Sequence, residues 1–351
     1  MDTWVTDDRQ LLALARDGDE DAFNVLVEAH RAELLAYCYR MLGSIQDAED
    51  AVQNTMVRAW RGLRAFEGRS SVRSWLYTIA TNTTLDLARH RSRRELPADF
   101  CRAGDVGAEL ADAVLDPVWL EPCPDQWLAG VAGSGPEARY EQRESVEIAF
   151  MVMLQRLPPL QRAVLILRDV LGFSAAEVAA QLSTTATAVN SALQRARATA
   201  QAGLPDASQQ SVLRTLGDDR LASAAARYAD ALETGDVDAL LALLTEDATW
   251  CMPPMPTWFQ GHEAIRSWLV RDPLTVRWRH MATSANGQLA VGCYLYSPAT
   301  GTYEPAVIDV LTFSPADGKI SAVTAFVQLD GLADPTATFA RFSLPATPPA
   351  H

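Results

Sequence analysis

Two stretches of this chain carry side chains whose type and spacing suit contact with nucleic acid. Between residues 184 and 197, Thr187, Asn190, Ser191, Gln194, Arg195 and Arg197 are spaced to face outward from one helix. Hydroxyl, amide and guanidinium groups in such a row can meet base edges and the phosphates beside them. Ala188, Val189, Ala192 and Leu193 fall on the opposite side and predict a buried face. The second stretch, residues 58–94, holds nine arginines against Glu67 and Asp86. It is flanked by residues 1–57, with 4 basic and 12 acidic side chains, and by 95–135, with Arg102 against 8 acids. In a chain of net charge −14, a basic block between two acidic ones reads as a phosphate contact surface, densest at Arg89, His90, Arg91, Arg93 and Arg94. A solvated charge run has the same composition, so the block alone leaves both readings open.

Helix signals surround both stretches. Pro158 and Pro159 suit a first helical turn, where a missing N–H costs little, and Ala163, Val164, Ile166 and Leu167 give that helix an apolar face. Gly172 marks its end, and Ser174 with Glu177 has the spacing of a capping box opening a short second helix over Val178, Ala179 and Leu182. Thr184 or Thr185 caps the third. This order predicts a helix-turn-helix with the last helix as reader, although a three-helix packing unit with a polar face has the same pattern. Residues 8–94 read as helical throughout. Asp19 to Leu42 places Phe23, Leu26, Val27, Leu34, Tyr37 and Met41 on one face, a second helix follows Ser44, and a third runs from about Val72 to Arg91 after the loop Phe66-Glu67-Gly68-Arg69-Ser70-Ser71.

A chain of 351 residues exceeds the usual single core and implies several domains. No run of about 18 apolar residues and no basic-then-apolar leader is found, which predicts a soluble, cytoplasmic protein. Cys38, Cys101, Cys123, Cys251 and Cys293 are odd in number and scattered, which predicts free thiols, with no metal site and no cofactor. Residues 95–135, acidic and rich in Pro, Gly and Ala, read as an extended linker between a domain at 8–94 and one at 136–202. A second linker, 203–216, leads to a third domain at 217–331 and a tail at 332–351. That domain opens with helices at 218–234, 237–244 and 261–270 and continues in alternating runs at 289–296, 306–313 and 320–329, the signature of α+β with an antiparallel sheet. Its candidate pocket is lined by Trp250, Met252, Trp258, Trp268, Trp278, His280 and Tyr294. Asp309, beside His280 or Tyr294, is the best-placed carboxylate for acid–base work but reads as structural, so no catalytic residue is assigned.

Several ordered motifs then carry a family resemblance. Asp47-Ala48-Glu49-Asp50-x-x-Gln53 with Ala59-Trp60, then Phe66-x-Gly68, Trp75-Leu76-Tyr77-x-Ile79-Ala80-x-Asn82, Leu157-Pro158-x-x-Gln161-Arg162 and Arg195-Ala196-Arg197 resemble regions two and four of the extracytoplasmic-function sigma factors. The Glu233-x-Gly235-Asp236 turn, Leu243-Leu244-x-Glu246-Asp247-Ala248-Thr249-Trp250 and Gly261-x-x-Ala264-Ile265 are similar to the SnoaL-like cone fold of ketosteroid isomerases and nuclear transport factor two. The resemblance implies two all-α domains plus an α+β cone, and a transcription initiation subunit that binds RNA polymerase core and promoter DNA and is not an enzyme. It implies that Asp47, Glu49, Asp50, Gln53 and Trp60 meet polymerase. It further implies that Phe66, Arg69, Ser70, Ser71 and Asn82 hold a melted promoter element, that Arg89, Arg91 and Arg93 track phosphates, and that the last helix reads an upstream element. The acidic linker would thread the polymerase cleft, and the cone would modulate activity, with a small apolar ligand able to bias its packing. Asn190 and Ala192 depart from the common pattern and leave base preference open. Two other functions stay in view: a one-component, ligand-responsive helix-turn-helix regulator, and a cyclase- or isomerase-like enzyme fused to a DNA-binding module.

Overall fold

The computed structural model describes residues 3–116, 119–129, 143–329 and 334–349. The end of the expected linker (130–135), the start of the domain expected from 136 and the boundary at 331/332 lie outside the described residues. The chain divides into two compact units: residues 1–93, 127–145 and 153–204, and residues 94–126, 146–152 and 205–351.

The first unit is helical. Helices α1 (Thr3–Arg16), α2 (Glu20–Leu42), α3 (Ile45–Gly62) and α4 (Val72–His90) follow one another. Their ends are set by side chains that satisfy orphan amides: Asp19 accepts from the Ala22 N–H at 3.0 Å, Ser44 from Asp47 at 3.2 Å and Ser71 from Ser74 at 3.1 Å. Gly43 closes α2 in the left-handed region (φ 69°), returning its N–H to the Tyr39 carbonyl. The C-terminal half of α2 is buried on every side, with Tyr37 sharing a 2.8 Å hydrogen bond with Thr81 of α4.

Helix α5 (Ile148–Arg156) precedes α6 (Pro159–Leu165), which continues as a π turn over Ile166–Val170 and stops at Gly172 (φ 72°). Both arms of the capping box form at α7 (Ala175–Gln181): the Ser174 N–H donates to Glu177 at 2.7 Å and the Glu177 N–H to Ser174 Oγ at 3.2 Å. Thr185 caps α8 (Ala186–Gly203). Its buried residues are Val189, Ala192, Leu193 and Ala196; Ala188, expected inside, is exposed because the buried stripe runs toward Ala196 instead.

Two buried arginines tie these helices together. Arg162, the last residue of the Leu157-to-Arg162 motif, is 5% exposed and faces no carboxylate among the described residues. It donates to the carbonyls of Met41, Gln155 (3.0 Å) and Leu157 (3.1 Å) and to Gln155 Oε1 (2.7 Å). Arg40, fully buried, donates to Ser145 Oγ at 2.7 Å, and its own carbonyl accepts from Gln155 at 3.2 Å. On the adjoining side of α4, Gln181 donates to Ser74 at 3.2 Å and Arg73 lies over the Phe173 ring.

The second unit is α+β. After α9 (Gln209–Leu216), α10 (Asp218–Thr234) and α11 (Val237–Leu243) come β1 (Leu244–Cys251), β2 (Trp258–Gln260), α12 (Gly261–Leu269), β3 (Trp278–Ala285), β4 (Gln288–Ser297), β5 (Thr302–Phe313), β6 (Ile320–Val327) and α13 (Pro335–Arg341). The sheet order is β2-β1-β6-β5-β4-β3; it is antiparallel except for the parallel pair β1–β6, which the alternation of the sequence did not reveal. Tyr228, Trp250, Phe259, Ile265, Trp268 and Val323 centre the core.

Three segments read as linker or tail belong to this unit. Residues 95–126 lack regular structure beyond single turns, yet they are held down. The Gly104 N–H reaches the Trp258 carbonyl (2.8 Å) and the Val114 N–H the Pro254 carbonyl (3.0 Å), while Ala108 and Leu110 pack against the apolar cluster. Cys123 and Asn286 exchange hydrogen bonds at 2.8 and 2.9 Å. Its apolar side chains and extended backbone groups thus have partners on the cone, where composition alone suggested solvent. Within 203–216, α9 forms because the Glu147 carboxylate accepts the Gln209 and Gln210 N–H groups (2.9 and 2.7 Å), an anion at a helix N-terminus. In the tail, Phe339, Phe342 and Leu344 are buried. Gly292 leaves the space that Leu344 fills, since a Cβ there would collide with it.

Candidate nucleic-acid interface

Helix α8 presents Thr187, Asn190, Ser191, Gln194 and Arg195 exposed, while Val189, Ala192, Leu193 and Ala196 anchor the other side. The Thr185 side chain caps its first turn, accepting from the Ala188 N–H at 3.1 Å, so the helix starts with its polar stripe in register. Arg197 is not part of that stripe's free charge: it makes a two-pronged ion pair with Asp169 at 2.8 and 2.7 Å, locking α8 to the end of the π turn.

The arginine block is more neutralised than its sequence suggests. Arg89 lies 3.3 Å from Asp86, Arg58 lies 3.8 Å from the same carboxylate, Arg69 pairs with Glu67 and Arg91 with Asp47. Arg73 donates to Glu33 at 2.9 Å. Burial would raise the Glu33 carboxyl, but hydrogen bonds from His30 and Arg73 outweigh it and hold the group below its ordinary value. Arg94 is buried and donates to the Trp119 carbonyl at 3.1 Å. Arg61 and Arg64, which the sequence reading passed over, are exposed with no ion pair among the described residues and adjoin the 66–71 loop.

Within that loop the roles divide. Phe66 is 8% exposed and stacks on Trp75 with centroids 4.6 Å apart, so it supports the loop and does not present a free ring to a base. Ser71 spends its hydroxyl on the helix cap. Arg69, Ser70 and, one face along α4, Asn82 are exposed.

The α3 surface also divides. Asp47 is 5% exposed, receives an ion pair from Arg91 and sits in the capped first turn, so it faces inward. Trp60 is half-buried with its ring edge-on to Phe23 at 5.0 Å, and Glu49 is half-buried. Asp50, Gln53, Asn54 and Val57 (43% exposed) form a stripe at i, i+3, i+4 and i+7.

In the cone, Trp250 and Trp268 meet edge to face at 5.5 Å and Trp268 stacks on Phe259 at 5.3 Å, with Met252 in the same cluster. The indole N–H groups of Trp250 and Trp268 are buried without an acceptor among the described residues. Trp258 donates to Cys101 and Trp278 to Pro273. His280 lies beside Glu233, whose carboxyl, despite burial, is brought to about 2 by hydrogen bonds from His280 and Arg279. Tyr294 stands apart from the pocket set: strand alternation turns it to the other face, where it packs on Phe339 and donates to the Pro345 carbonyl at 2.8 Å. Asp309 is bound by neither His280 nor Tyr294; Tyr228 donates to it at 2.8 Å and Cys293 at 3.3 Å. Burial raises its carboxyl, with those hydrogen bonds opposing. Among the described residues no cluster of three or more His, Cys, Asp or Glu is placed for a metal, and no helix is long and apolar enough to cross a membrane.

Family models match three stretches of the chain: Sigma-70 region 2 at residues 26–94, Sigma-70 region 4 at 147–199 and a SnoaL-like domain at 225–323. The chain is 40% identical over 334 residues to the ECF RNA polymerase sigma factor SigG of Mycobacterium tuberculosis, covering 94% of this chain and 85% of SigG. The ECF RNA polymerase sigma factor SigW of Bacillus subtilis is 35% identical over 108 residues, 28% of this chain and 56% of SigW. The crystal structure of the M. tuberculosis extracytoplasmic function sigma factor SigJ has a TM-score of 0.52 at 22% identity, over 90% of this chain and 98% of that one, which shows the shared fold. With helical regions two and four, a cone domain following them in sequence and a relative alike over 94% of this chain, the chain belongs to the extracytoplasmic-function sigma factors of RNA polymerase.

Proposed function

We propose that this sigma factor acts in the cytoplasm, docking on RNA polymerase core through Asp50, Gln53, Asn54 and Val57. In this reading Arg61, Arg64, Arg69, Ser70 and Asn82 engage the melted promoter strand, and Thr187, Asn190, Ser191, Gln194 and Arg195 read an upstream element. The observation that carries the reading is the α8 stripe: five side chains able to contact bases and phosphates, exposed on one face of a helix whose other face is buried. A reader of this kind needs little net charge of its own when polymerase holds it at the promoter.

The cone regulates and does not catalyse. Its buried carboxylate, Asp309, is bound by Tyr228 and Cys293 inside the fold. Its lever is the segment between the two DNA-contacting regions, which it holds through backbone hydrogen bonds and through Ala108 and Leu110. A small apolar ligand with a hydrogen-bond acceptor suits the unpartnered indole N–H groups of Trp250 and Trp268 and would bias that hold.

Transcription by reconstituted holoenzyme tests the assignment. Asn190→Ala and Arg195→Ala should each lower promoter-specific transcript, by roughly tenfold for a residue worth 1–3 kcal/mol of base or phosphate contact. Ala108→Asp with Leu110→Asp should shift activity without touching either DNA surface. Unchanged transcript in both reader variants rejects the assignment of α8, and unchanged activity in the linker variant rejects the lever.

A further inference from the structure

The cations of the cone domain sort by whether they have a partner. Residues 217–351 hold 8 basic side chains against 15 acidic ones. Arg266 pairs with Asp238, Arg279 with Glu233, and Arg271 donates to the carbonyls of Gly107 and Ala108. Arg277 lies over the Tyr296 ring at 3.8 Å, and Arg341 is also engaged. The three that remain, Arg220, Arg227 and Lys319, have no ion pair or side-chain hydrogen bond among the described residues, and all three line one cavity of about 350 Å³.

The cavity is an open cleft between one helix and one turn. Arg220, Ser223, Ala224 and Arg227 form one stripe of α10 at i, i+3, i+4 and i+7. Facing them is the turn Asp317-Gly318-Lys319 between β5 and β6, with Phe313 and Ile320 at its base. Gly318 has φ 71°, a conformation that favours glycine, and a Cβ there would come within 2.6 Å of the Leu216 Cδ2 at the end of α9. Of the two acids in the lining, Asp317 is engaged by the Lys319 N–H at 3.1 Å, and the set keeps one net positive charge. The remaining wall is apolar, from Leu216, Ala224, Ala242 and Leu243.

We propose that this cavity binds a phosphate-bearing small molecule of mononucleotide size, with Arg220, Arg227 and Lys319 on the phosphate and the apolar wall against its organic part. Two guanidiniums and an ammonium lining one concave site favour an anion with several acceptor oxygens, and the volume lies in the small-ligand range. The excess of acids in the surrounding domain repels the extended charge of duplex DNA, which argues for a compact ligand.

Isothermal titration of the full chain with AMP, GMP, CMP and UMP tests this, with inorganic phosphate, guanosine and a short duplex as the other arms. At least one monophosphate should bind saturably below millimolar concentration, more tightly than phosphate, while guanosine should show no binding. Lys319→Glu and Arg227→Glu, both on exposed side chains, should each weaken it about tenfold or more, since charge-assisted contacts are among the strong ones. Unchanged circular-dichroism melting in those variants would separate lost binding from lost folding. Absence of binding by all four nucleotides, equal binding of phosphate alone, affinity unchanged in the variants, or a duplex affinity that falls in the Lys319 and Arg227 variants each overturns the proposal. The readout is ligand affinity, so it is distinct from failure of the polymerase or promoter assignments.

Discussion

Arg162 supplies the sharpest test of how α2, α5 and α6 are held together. Replacing it with Met keeps the aliphatic stem but removes four hydrogen bonds, leaving the carbonyls of Met41, Gln155 and Leu157 and the Gln155 side chain without their donor. Each buried acceptor left unmet costs roughly 1–3 kcal/mol, part of it recovered because a buried cation with no carboxylate partner is itself costly to desolvate. That burial is visible in the guanidinium, whose value is pulled down to about 10. The balance gives an expected loss of about 3–4 kcal/mol, a large share of a stability of roughly 5–15 kcal/mol. Lys should recover less than half of it, because an ammonium on a flexible stem cannot meet four acceptors in a fork. Urea unfolding of the full chain measures the loss, and amide hydrogen exchange at 36–42 and 153–165 locates it. A loss below about 1 kcal/mol for Arg162→Met, or full rescue by Lys, refutes the role given to this network.

Other outcomes follow from the same geometry. Asp50→Arg with Gln53→Arg should weaken core-polymerase binding at least about tenfold while leaving the melting temperature within about 1 °C, because both side chains are exposed and unpaired to the fold; equal affinity counts against the α3 stripe. Glu233 has its carboxyl depressed to about 2 from 4.5, so its contribution is full above pH 4.5 and is lost as pH falls toward 2. Glu233→Gln should therefore narrow the stability gap to wild type on acidification, and a gap that widens contradicts the Arg279–Glu233–His280 cluster. Asp309 has the opposite sign: its raised carboxyl makes the fold lose stability as pH rises above 3.8, until the folded-state value is passed. Asp309→Asn should flatten that slope in melting curves taken across pH, and an unchanged slope would remove Asp309 as its source.

Much of the helical architecture was legible because it is punctuated locally. Ser44, Ser71, Ser174 and Thr185 cap helices at the positions their spacing marks, and Gly43 and Gly172 end them in the left-handed region. The polar stripe of α8 could be read for the same reason, since 3.6-residue periodicity fixes a face without reference to distant residues. What escaped depends on contacts far apart in sequence. Asp47 read as a docking acid until its pairing with Arg91 was in view, and Tyr228 could not be joined to Asp309 across 81 positions. Likewise α9 requires Glu147, 62 residues away, to receive its first amides. Phe66 gave no sign that it stacks under Trp75, because an aromatic at a loop is compatible with either display or support. The parallel β1–β6 pair is a property of topology, which alternation does not encode.

The most direct measurement is run-off transcription with purified core polymerase, the full chain and a duplex template carrying its promoter, beside a duplex-binding assay without polymerase. Specific initiation should require both core and this chain, fall with the paired Asp50 and Gln53 reversals, and be accompanied by little duplex binding from the chain alone. Tight sequence-specific binding to duplex without core, together with no transcript when core is supplied, would contradict a sigma factor and favour a free-standing helix-turn-helix regulator.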